Sequence, residues 1–307
     1  MRLSTVSELE SRARRAADME ASSFVTDAEV RGYVNDGLAE LWDLLVGAYG
    51  EDYFLQQATF TLASASETTA LPADFYKLRG VDLALSGTNY LPVNKYNWRR
   101  RNRGVYYPGG AAVGTHVDIE YRLEQNKLRF TPGTGQTYNG RIWYVPTSPV
   151  LQKWAAIATG DVNAAGDSIT ITAHNFRNNG TARVSSTDTP PAGLTAGADY
   201  WVQVSDTNTV QMALSEDGAA VDITDTGTGV HTLQSTFDGI NGWEEYAVVW
   251  AAIKCLSKDE SDTSAQERQL GRLRMRLEEM AEDRDIGEPE TVTDIYASGG
   301  GFGGGLV

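Results

Sequence analysis

Apolar residues follow a helical period at both ends of the chain and a strand period between them. Near the amino terminus, six apolar residues follow one another at steps of three or four positions: Val30, Val34, Leu38, Leu41, Leu45 and Tyr49. This spacing predicts one buried stripe on a helix that runs to about residue 50. Thr5 and Glu8 have the spacing of a capping box, which predicts the start of a first helix. Thr26 and Glu29 repeat that signal at the start of the second.

Two further helices are predicted near the carboxyl end. The stretch NGWEEYAVVWAAIKCLSKDE predicts a helix over residues 242–257. Thr263 and Gln266 then have capping-box spacing. The apolar stripe that follows consists of Leu270, Leu273, Leu277 and Met280. This last helix is expected to run to about Arg284 and to stop before Pro289.

Between these helical ends, apolar and polar residues alternate with the period of a half-buried strand. Strands are predicted in ATFTLAS, VDIEYRLEQNKLRFTP and GRIWYVP. A hairpin turn is expected near Gln125 and Asn126, and another turn at Leu71 and Pro72 leads into a strand. These strands predict a small β domain over residues 53–154.

A second β region occupies residues 155–237. It is built of short strands and turns, it is rich in Asp, and its only basic residues are Arg177 and Arg183. Turn signals occur at residues 178–180 and 205–208, and alternating strands on both sides of the second turn predict a hairpin. We interpret this region as a self-contained, β-sandwich-like module inserted in a loop, and we call it the module.

The predicted fold class is α+β. A helical bundle is expected from residues 1–52 and 238–286. The β domain of residues 53–154 lies between them, and the module of residues 155–237 is inserted after it. Residues 287–307 are expected to form an extended carboxyl-terminal arm.

Charge and cysteine content exclude several classes of protein. A net charge of −15 over 307 residues argues against a protein whose main task is to grip nucleic-acid phosphates, because that task needs a basic face. Cys255 is the only cysteine, so an intrachain disulfide and a cysteine-based zinc site are not expected. It lies among apolar helix residues, which predicts a buried, inert thiol. The sequence shows no signal-peptide core and no apolar run near the ~20 residues that span a membrane.

Candidate enzyme signals are weak. TPGTGQT at residues 131–137 has Gln136 where a phosphate-binding loop needs lysine, and a strand is predicted after it, so a hairpin turn is preferred. The histidines lack the spacing of metal ligands; they are His116, His174 and His231. Asp222 and Asp225 match no known calcium loop and are interpreted as turn residues. No enzyme activity, cofactor or metal is expected.

A basic run, NKYNWRRRNR at residues 94–103, stands out in this acidic chain. We call it the arginine run. Its candidate contact residues are Trp98, Arg99, Arg100, Arg101 and Arg103. Arginine beside an aromatic ring is favoured at protein interfaces, so a contact with a neighbouring protein is predicted. A DNA contact and a solvated loop are the alternatives.

The chain ends in PETVTDIYASGGGFGGGLV. Glycine loses much conformational freedom on ordering, so this ending cannot bury a core by itself. We predict an arm that becomes ordered against another subunit, by adding a strand to a sheet edge and by burying small apolar anchors. Its candidate contact residues are Glu288, Pro289, Val292, Ile295, Tyr296, Phe302, Leu306 and Val307. A frayed terminus is the alternative.

Three stretches resemble the head-to-tail adaptor proteins, or connectors, of tailed double-stranded DNA bacteriophages. They are EVRGYVNDGLAELWDLLVGAYGEDYF, LPADFYKLRGVDL and RLRMRLEEMAEDRDIGEPETVTDIY. The resemblance implies a non-enzymatic virion protein that forms a ring, typically twelvefold, beneath the portal. The implied partners are the portal protein, tail proteins and further copies of the chain. Genomic DNA would pass through the ring without sequence-specific binding, and no membrane is involved.

The module is similar to a β module that recurs in phage tail and virion proteins. The residues that carry this similarity are Gly193, Leu194, Gly197, Tyr200, Trp201, Val202, Asn208, Thr209, Gly227, Gly229 and His231. Because aromatic side chains can stack on sugars, a carbohydrate-binding or adhesin-like tail protein is the alternative function. Tyr200 and Trp201 are adjacent on a strand and point to opposite faces, so one of them is expected in the core.

Overall fold

The computed structural model describes residues 3–50, 54–64, 66–86, 89–100, 119–131, 137–238 and 242–282. The helices in these ranges are α1 (Val6–Ala16), α2 (Asp27–Tyr49), α3 (Glu244–Lys258) and α4 (Ser264–Glu282). The first nine strands are β1 (Leu3–Thr5), β2 (Gln56–Leu62), β3 (Thr68–Ala70), β4 (Phe75–Ser86), β5 (Asn89–Pro92), β6 (Asn94–Lys95), β7 (Glu120–Glu124), β8 (Lys127–Thr131) and β9 (Tyr138–Pro146). The others are β10 (Lys153–Ile157), β11 (Val162–Asn163), β12 (Ser168–Thr170), β13 (Gly180–Ser186), β14 (Asp199–Asp206), β15 (Thr209–Ala213) and β16 (His231–Asp238). The predicted α+β class is confirmed.

The four helices pack around one apolar core, as the stripes in the sequence predict. Both amino-terminal capping boxes are present, and the Thr5 side chain accepts a hydrogen bond from the backbone N–H of Glu8. Helix α2 ends at Gly50, whose φ of 81° is readily adopted only by glycine. The core includes Val34 and Leu38 from α2 and also Phe237 from β16. Among the helices of the described chain, none is long and apolar enough to cross a membrane.

Helices α2 and α3 pack closely against each other at Gly37. A Cβ atom at this position would lie 3.0 Å from the Cα of Ala247 and 3.0 Å from the Cβ of Trp250. Real Cβ atoms seldom have contacts this short, and both neighbours are held by α3. The absence of a side chain at Gly37 therefore sets the distance between the two helices.

The start of α4 differs from the prediction. Asp262 accepts a hydrogen bond from the backbone N–H of Ser264 at 3.0 Å. The Gln266 side chain donates to the carbonyl of Ala16 on α1, and its amide oxygen is buried without a partner. The predicted capping box between Thr263 and Gln266 is therefore wrong, because Gln266 is engaged with another helix. The predicted helix end at Arg284 lies outside the described residues.

The described residues between 54 and 146 form two four-stranded sheets, in the orders β2-β9-β4-β5 and β3-β8-β7-β6. The sheets share a core to which Leu62, Phe130 and Ile142 contribute. The predicted hairpin between β7 and β8 is confirmed, and Gln125 in its turn has a φ of 51°. The predicted hairpin turn at residues 131–137 is wrong, because β8 and β9 belong to different sheets; residues 132–136 are themselves not described.

The module contributes to an eight-stranded sheet with the order β1-β16-β13-β14-β15-β12-β11, in which β10 also pairs with β16. The predicted hairpin of β14 and β15 is confirmed. The apolar core of this region consists of residues between Ile157 and Leu233. However, β1 precedes the first helix and pairs with β16, with Leu3 opposite Asp238. The sheet therefore extends beyond the module and includes the amino-terminal strand.

Candidate assembly surfaces

The arginine run begins on the surface of the β domain. Strand β6 pairs with β7 in parallel, and a short 3-10 helix follows at Trp98–Arg100. The Trp98 side chain is 64% exposed, and its ring meets that of Tyr96 edge-on at a centroid distance of 6.2 Å. The guanidinium of Arg122 lies 5.4 Å from the centre of the Tyr96 ring. In this cluster Trp98 is exposed, whereas Tyr96 and Arg122 are half-buried. Its combination of aromatic and cationic groups is of a kind enriched at protein interfaces.

The structure describes only part of the predicted contact set. Arg99 is exposed, and its backbone N–H donates to the side chain of Asn97 at 3.0 Å. The side chain of Arg100 and all of Arg101 and Arg103 lie outside the described residues. The arm residues also lie outside them; these are Glu288, Pro289, Val292, Ile295, Tyr296, Phe302, Leu306 and Val307. Their contacts with partners stay predictions.

A polar contact that the sequence did not predict joins the module to the β domain and to α2. Arg177 precedes β13, and its Nε lies 3.4 Å from Oδ2 of Asp74. Its Nη1 donates to the carbonyl of Thr147 at 3.2 Å, and its guanidinium lies 5.8 Å from the ring centre of Trp42. The hydroxyl of Tyr144 donates to Oδ1 of the same Asp74 at 2.8 Å. One arginine of the module thus contacts two other parts of the chain.

Burial makes this contact electrostatically strong. The Arg177 side chain is only 16% exposed. Burial lowers the pKa of Arg177, while the negative charge of Asp74 opposes that shift. Burial, followed by the hydrogen bond to Asp74, raises the pKa of Tyr144. Arginine stays charged in proteins at neutral pH, and the raised pKa of Tyr144 keeps its hydroxyl protonated, so each can donate to Asp74.

The second basic residue of the module lies at its other junction. Arg183 donates to both carboxylate oxygens of Asp199, at 2.8 and 2.9 Å. Its guanidinium also reaches Glu8 on α1 and the carbonyl of Leu3 on β1, each at 3.4 Å. Both arginines of this acidic region therefore lie where it meets the rest of the chain. These are the only two basic residues in the acidic sequence of the module. That feature of the sequence could have indicated the two junctions.

A cleft of about 930 Å³ lies beside Arg177, between β2 and the module. Its walls combine apolar side chains with polar ones, among them Gln57, Asn179 and Asp217. In the part of the chain that the structure describes, no group of three or more His, Cys, Asp or Glu side chains could hold a metal ion. The cleft marks the boundary between the β domain and the module.

The histidines that we weighed as ligands have structural partners. His174 is buried, and its Nδ1 accepts a hydrogen bond from the backbone N–H of Phe176 at 2.9 Å. His231 is also buried, with Ser186 Oγ 3.0 Å from Nδ1 and the carbonyl of Thr226 3.1 Å from Nε2. These contacts support the interpretation of His231 as a packing residue. His116 lies outside the described residues.

The remaining candidates are structural as well. Asp225 accepts hydrogen bonds from the backbone N–H groups of Ala192 and Gly227, which lower its pKa and organise a turn. Cys255 is buried, as predicted, and burial raises the pKa of its thiol. Tyr200 is in the core and Trp201 is half-buried. The prediction that one of these two aromatics is a core residue is confirmed.

Comparison with known families supports the adaptor resemblance. The model of the SU10 adaptor protein family matches residues 4–164, which is more than half of the chain. The chain belongs to the SU10 adaptor protein family. The matched residues of this adaptor include α1, α2 and all strands of the β domain. The predicted class, a structural adaptor protein of a phage and hence a virion component, is confirmed at that level. None of the curated proteins compared matches this chain.

Proposed function

We propose that this adaptor forms a twelvefold ring that joins the portal of a tailed bacteriophage to its tail. The ring extends the channel through which the genome passes. The observation that carries this proposal is the family match over α1, α2 and the β domain. The adaptor acts by assembly rather than by catalysis, and it needs neither a metal nor a cofactor.

The charge of the chain suits a channel wall. With a net charge of −15, a ring of many copies carries a strongly negative potential. Acidic side chains on the lumen repel DNA phosphates, so the genome passes without sticking. Such a wall binds no DNA sequence specifically, because it offers few cationic groups to the phosphates.

Two surfaces are proposed to bind the portal, a neighbouring copy or the tail. The first is the exposed cluster around Trp98 and Arg99, continued by the rest of the arginine run. The second is the arm, residues 287–307, which could span up to roughly 70 Å if fully extended. Ordering a glycine-rich arm is costly, so its binding is strengthened when many copies act together on a ring.

The test is co-purification of the adaptor with a portal protein, followed by imaging and by mass measurement under native conditions. We expect a ring of about twelve adaptors on the portal, or a ring that forms only with portal. A trimer that binds glycans and ignores the portal would instead support the adhesin-like alternative. A monomer that never associates with portal contradicts the proposal.

Two variants separate the proposed contact surfaces. Truncation after Arg284 should leave the helices folded but weaken retention on the portal. Reversing the charge at Arg99 and Arg101 should weaken assembly with a marked dependence on salt. If the truncated chain docks as well as the full chain, the arm is a frayed terminus. If the reversed chain assembles normally at all salt concentrations, the arginine run is a solvated loop.

A further inference from the structure

Helix α4 is covered by the bundle on one side only. Its leucine stripe faces the core, and Leu277 in the middle of the stripe is buried. On the opposite side Arg268 and Arg272 are exposed, and Met275 is 60% exposed. Residues three and four apart are neighbours on a helix surface, so these three side chains form one face, which we call the α4 face. Arginine and methionine are both enriched at protein interfaces.

Helix α2 carries an exposed surface of opposite charge. Asp36 and Glu40 are exposed one turn apart, with the small residue Ala39 beside them. A Cβ atom added at Gly32, one turn earlier, would meet nothing within 4 Å. We call the surface formed by these four residues the α2 face. Its acidic groups are accompanied by small residues that let another helix approach closely.

Glu40 is exposed on α2 and its charge acts on Arg274 of α4 in the same chain. Arg274 is itself paired with Glu278 at 3.0 Å. The hydrogen bond to Glu278 is the main cause of the raised pKa of Arg274, and Glu40 contributes least. The α4 face lies on the side of the helix opposite the buried Leu277, so its arginines are accessible to a neighbouring copy.

We propose that the α4 face of one copy packs against the α2 face of a second copy. Each face has two like charges four residues apart, a spacing of about 6 Å along a helix. Two arginine–carboxylate pairs can therefore form in register, and Met275 can contact Ala39 between the acids. Complementary charges fix the register and disfavour contact between two identical faces.

This interface joins two different surfaces of the same chain. Every copy therefore keeps one free α4 face and one free α2 face after binding a neighbour. Such heterologous contacts propagate, and they give a closed ring when the rotation between copies closes. The inference rests on the proposed ring and names the side chains that would connect its subunits.

The test uses two full-length charge-reversed variants. Variant A carries Arg268→Glu and Arg272→Glu, and variant B carries Asp36→Arg and Glu40→Arg. Each variant alone has two faces of the same sign, so we expect ring assembly on the portal to fall at least about tenfold. In a 1:1 mixture every contact between A and B again joins opposite charges. The mixture should therefore recover the ring, with the two variants alternating.

A matched control changes net charge without touching either face. Arg15→Glu with Lys127→Glu shifts the net charge as much as variant A, and both side chains are exposed. We expect this control to assemble like the wild type. Helical circular dichroism should be the same for all variants, which separates lost assembly from lost folding.

Several results would overturn the interface. One is assembly of A or B alone at the wild-type level. Another is failure of the mixture although both variants fold. A third is the finding that variant A forms normal rings but retains less DNA. That result would mean that the α4 face contacts DNA rather than a neighbouring copy. If the wild type forms no ring with portal, the proposed function fails. In that case the interface is tested without portal, by mixing a Met275→Cys chain with an Ala39→Cys chain and oxidising the mixture. A disulfide-linked dimer supports the interface, and its absence refutes it. Cys255 is buried and does not compete.

Discussion

The β domain and the module are attached to the same helical bundle in different ways. The β domain uses side chains: Trp42 on α2 donates from its indole N–H to the carbonyl of Pro146 at 3.0 Å, and it packs with Val46 against Val145. The module adds backbone pairing to its arginine contacts, because β16 pairs with β1 and precedes α3 in the chain. A side-chain attachment can be weakened one residue at a time. A shared strand cannot be removed without exposing what it pairs with.

Strand β16 belongs to both the module and the bundle. Leu233, near its beginning, lies in the apolar core of the module. Phe237, near its end, lies in the core of the bundle. The boundary between the two units therefore runs through one strand, rather than through a loop beside it. An insertion of this kind can fold around its own core and still help to hold the helices.

The largest expected effect is a difference in the free energy of unfolding between two chains from which the module is deleted in different ways. Ile157 and His231 are paired neighbours on β10 and β16, so residues 158–230 can be replaced by a two-residue Asn-Gly turn. We expect this chain to keep its helices and to dock on the portal. Replacing residues 155–237 by a Gly-Ser linker also removes Phe237 and the partner of β1. That chain should lose about 3–5 kcal/mol more, the usual cost of deleting a buried aromatic side chain.

Thermal unfolding followed by circular dichroism measures the difference between the two deletions. Equal stability of both chains would show that the shared strand does not support the bundle. Loss of docking by the hairpin-preserving chain, with its helices intact, would show instead that the module itself is needed for assembly.

The next largest effect is expected at Gly37, where α2 meets α3. Gly37→Leu places four carbon atoms where Ala247 and Trp250 leave no room, and overpacking of this kind typically costs about 1–3 kcal/mol or more. The matched control is Gly47→Ala on the same helix, where a Cβ meets nothing within 4 Å and helix propensity improves by up to ~1 kcal/mol.

Calorimetry of the Gly37→Leu chain also tests whether the module folds around its own core. If it does, the bundle transition moves to lower temperature while a transition of the module persists. A single transition that moves as a whole would mean that bundle and module unfold together. The shared strand β16 would then couple the two units into one folding unit.

Local sequence signals predicted the elements, whereas contacts between distant residues decided how the elements join. The capping boxes at Thr5 and Thr26 use groups three residues apart, so a short stretch of sequence contains all the information. The false capping box at Thr263 shows the limit of such signals. Asp262 offers a competing cap one residue earlier, and only the position of α1 explains why Gln266 turns away.

The junctions could not be predicted because no local pattern encodes them. Strand β1 is three residues long, and its partner β16 lies more than 200 positions later in the chain. Arg177 and Asp74 are likewise far apart in sequence, and either alone has the character of an ordinary surface residue. Arg177 is one of two basic residues in an acidic region. This rarity marks Arg177 in the sequence, but it does not indicate that Asp74 is its partner.

A smaller effect is expected from Arg177→Met, which removes the charge but keeps much of the side-chain volume. Asp74 then retains the hydrogen bond from Tyr144 but loses its cationic partner. We expect a loss of about 1–3 kcal/mol in the free energy of unfolding. The control is Arg15→Met, because Arg15 is 70% exposed, its ion pair with Glu20 is exposed as well, and such pairs contribute about 0–1 kcal/mol. Equal losses for the two variants in denaturant titrations would contradict a special role for the buried arginine.

The smallest expected effect concerns Glu29, which links the start of α2 to the end of α3. Its carboxylate accepts hydrogen bonds from Lys258 Nζ at 2.7 Å and from the backbone N–H of Thr26 at 2.8 Å. These bonds, led by the one from Lys258, lower the pKa of Glu29 from its ordinary value of 4.5 to about 2. A pKa that is lower in the folded state stabilises the fold above the unfolded value, and this contribution disappears as the pH falls from 4.5 towards 2. In Glu29→Gln, the melting temperature should therefore fall slightly at neutral pH, and its difference from the wild type should shrink over that acid range. A difference that stays constant with pH would mean that the amide loses packing or capping geometry rather than charge, and that the α2–α3 link does not depend on the ionised carboxylate.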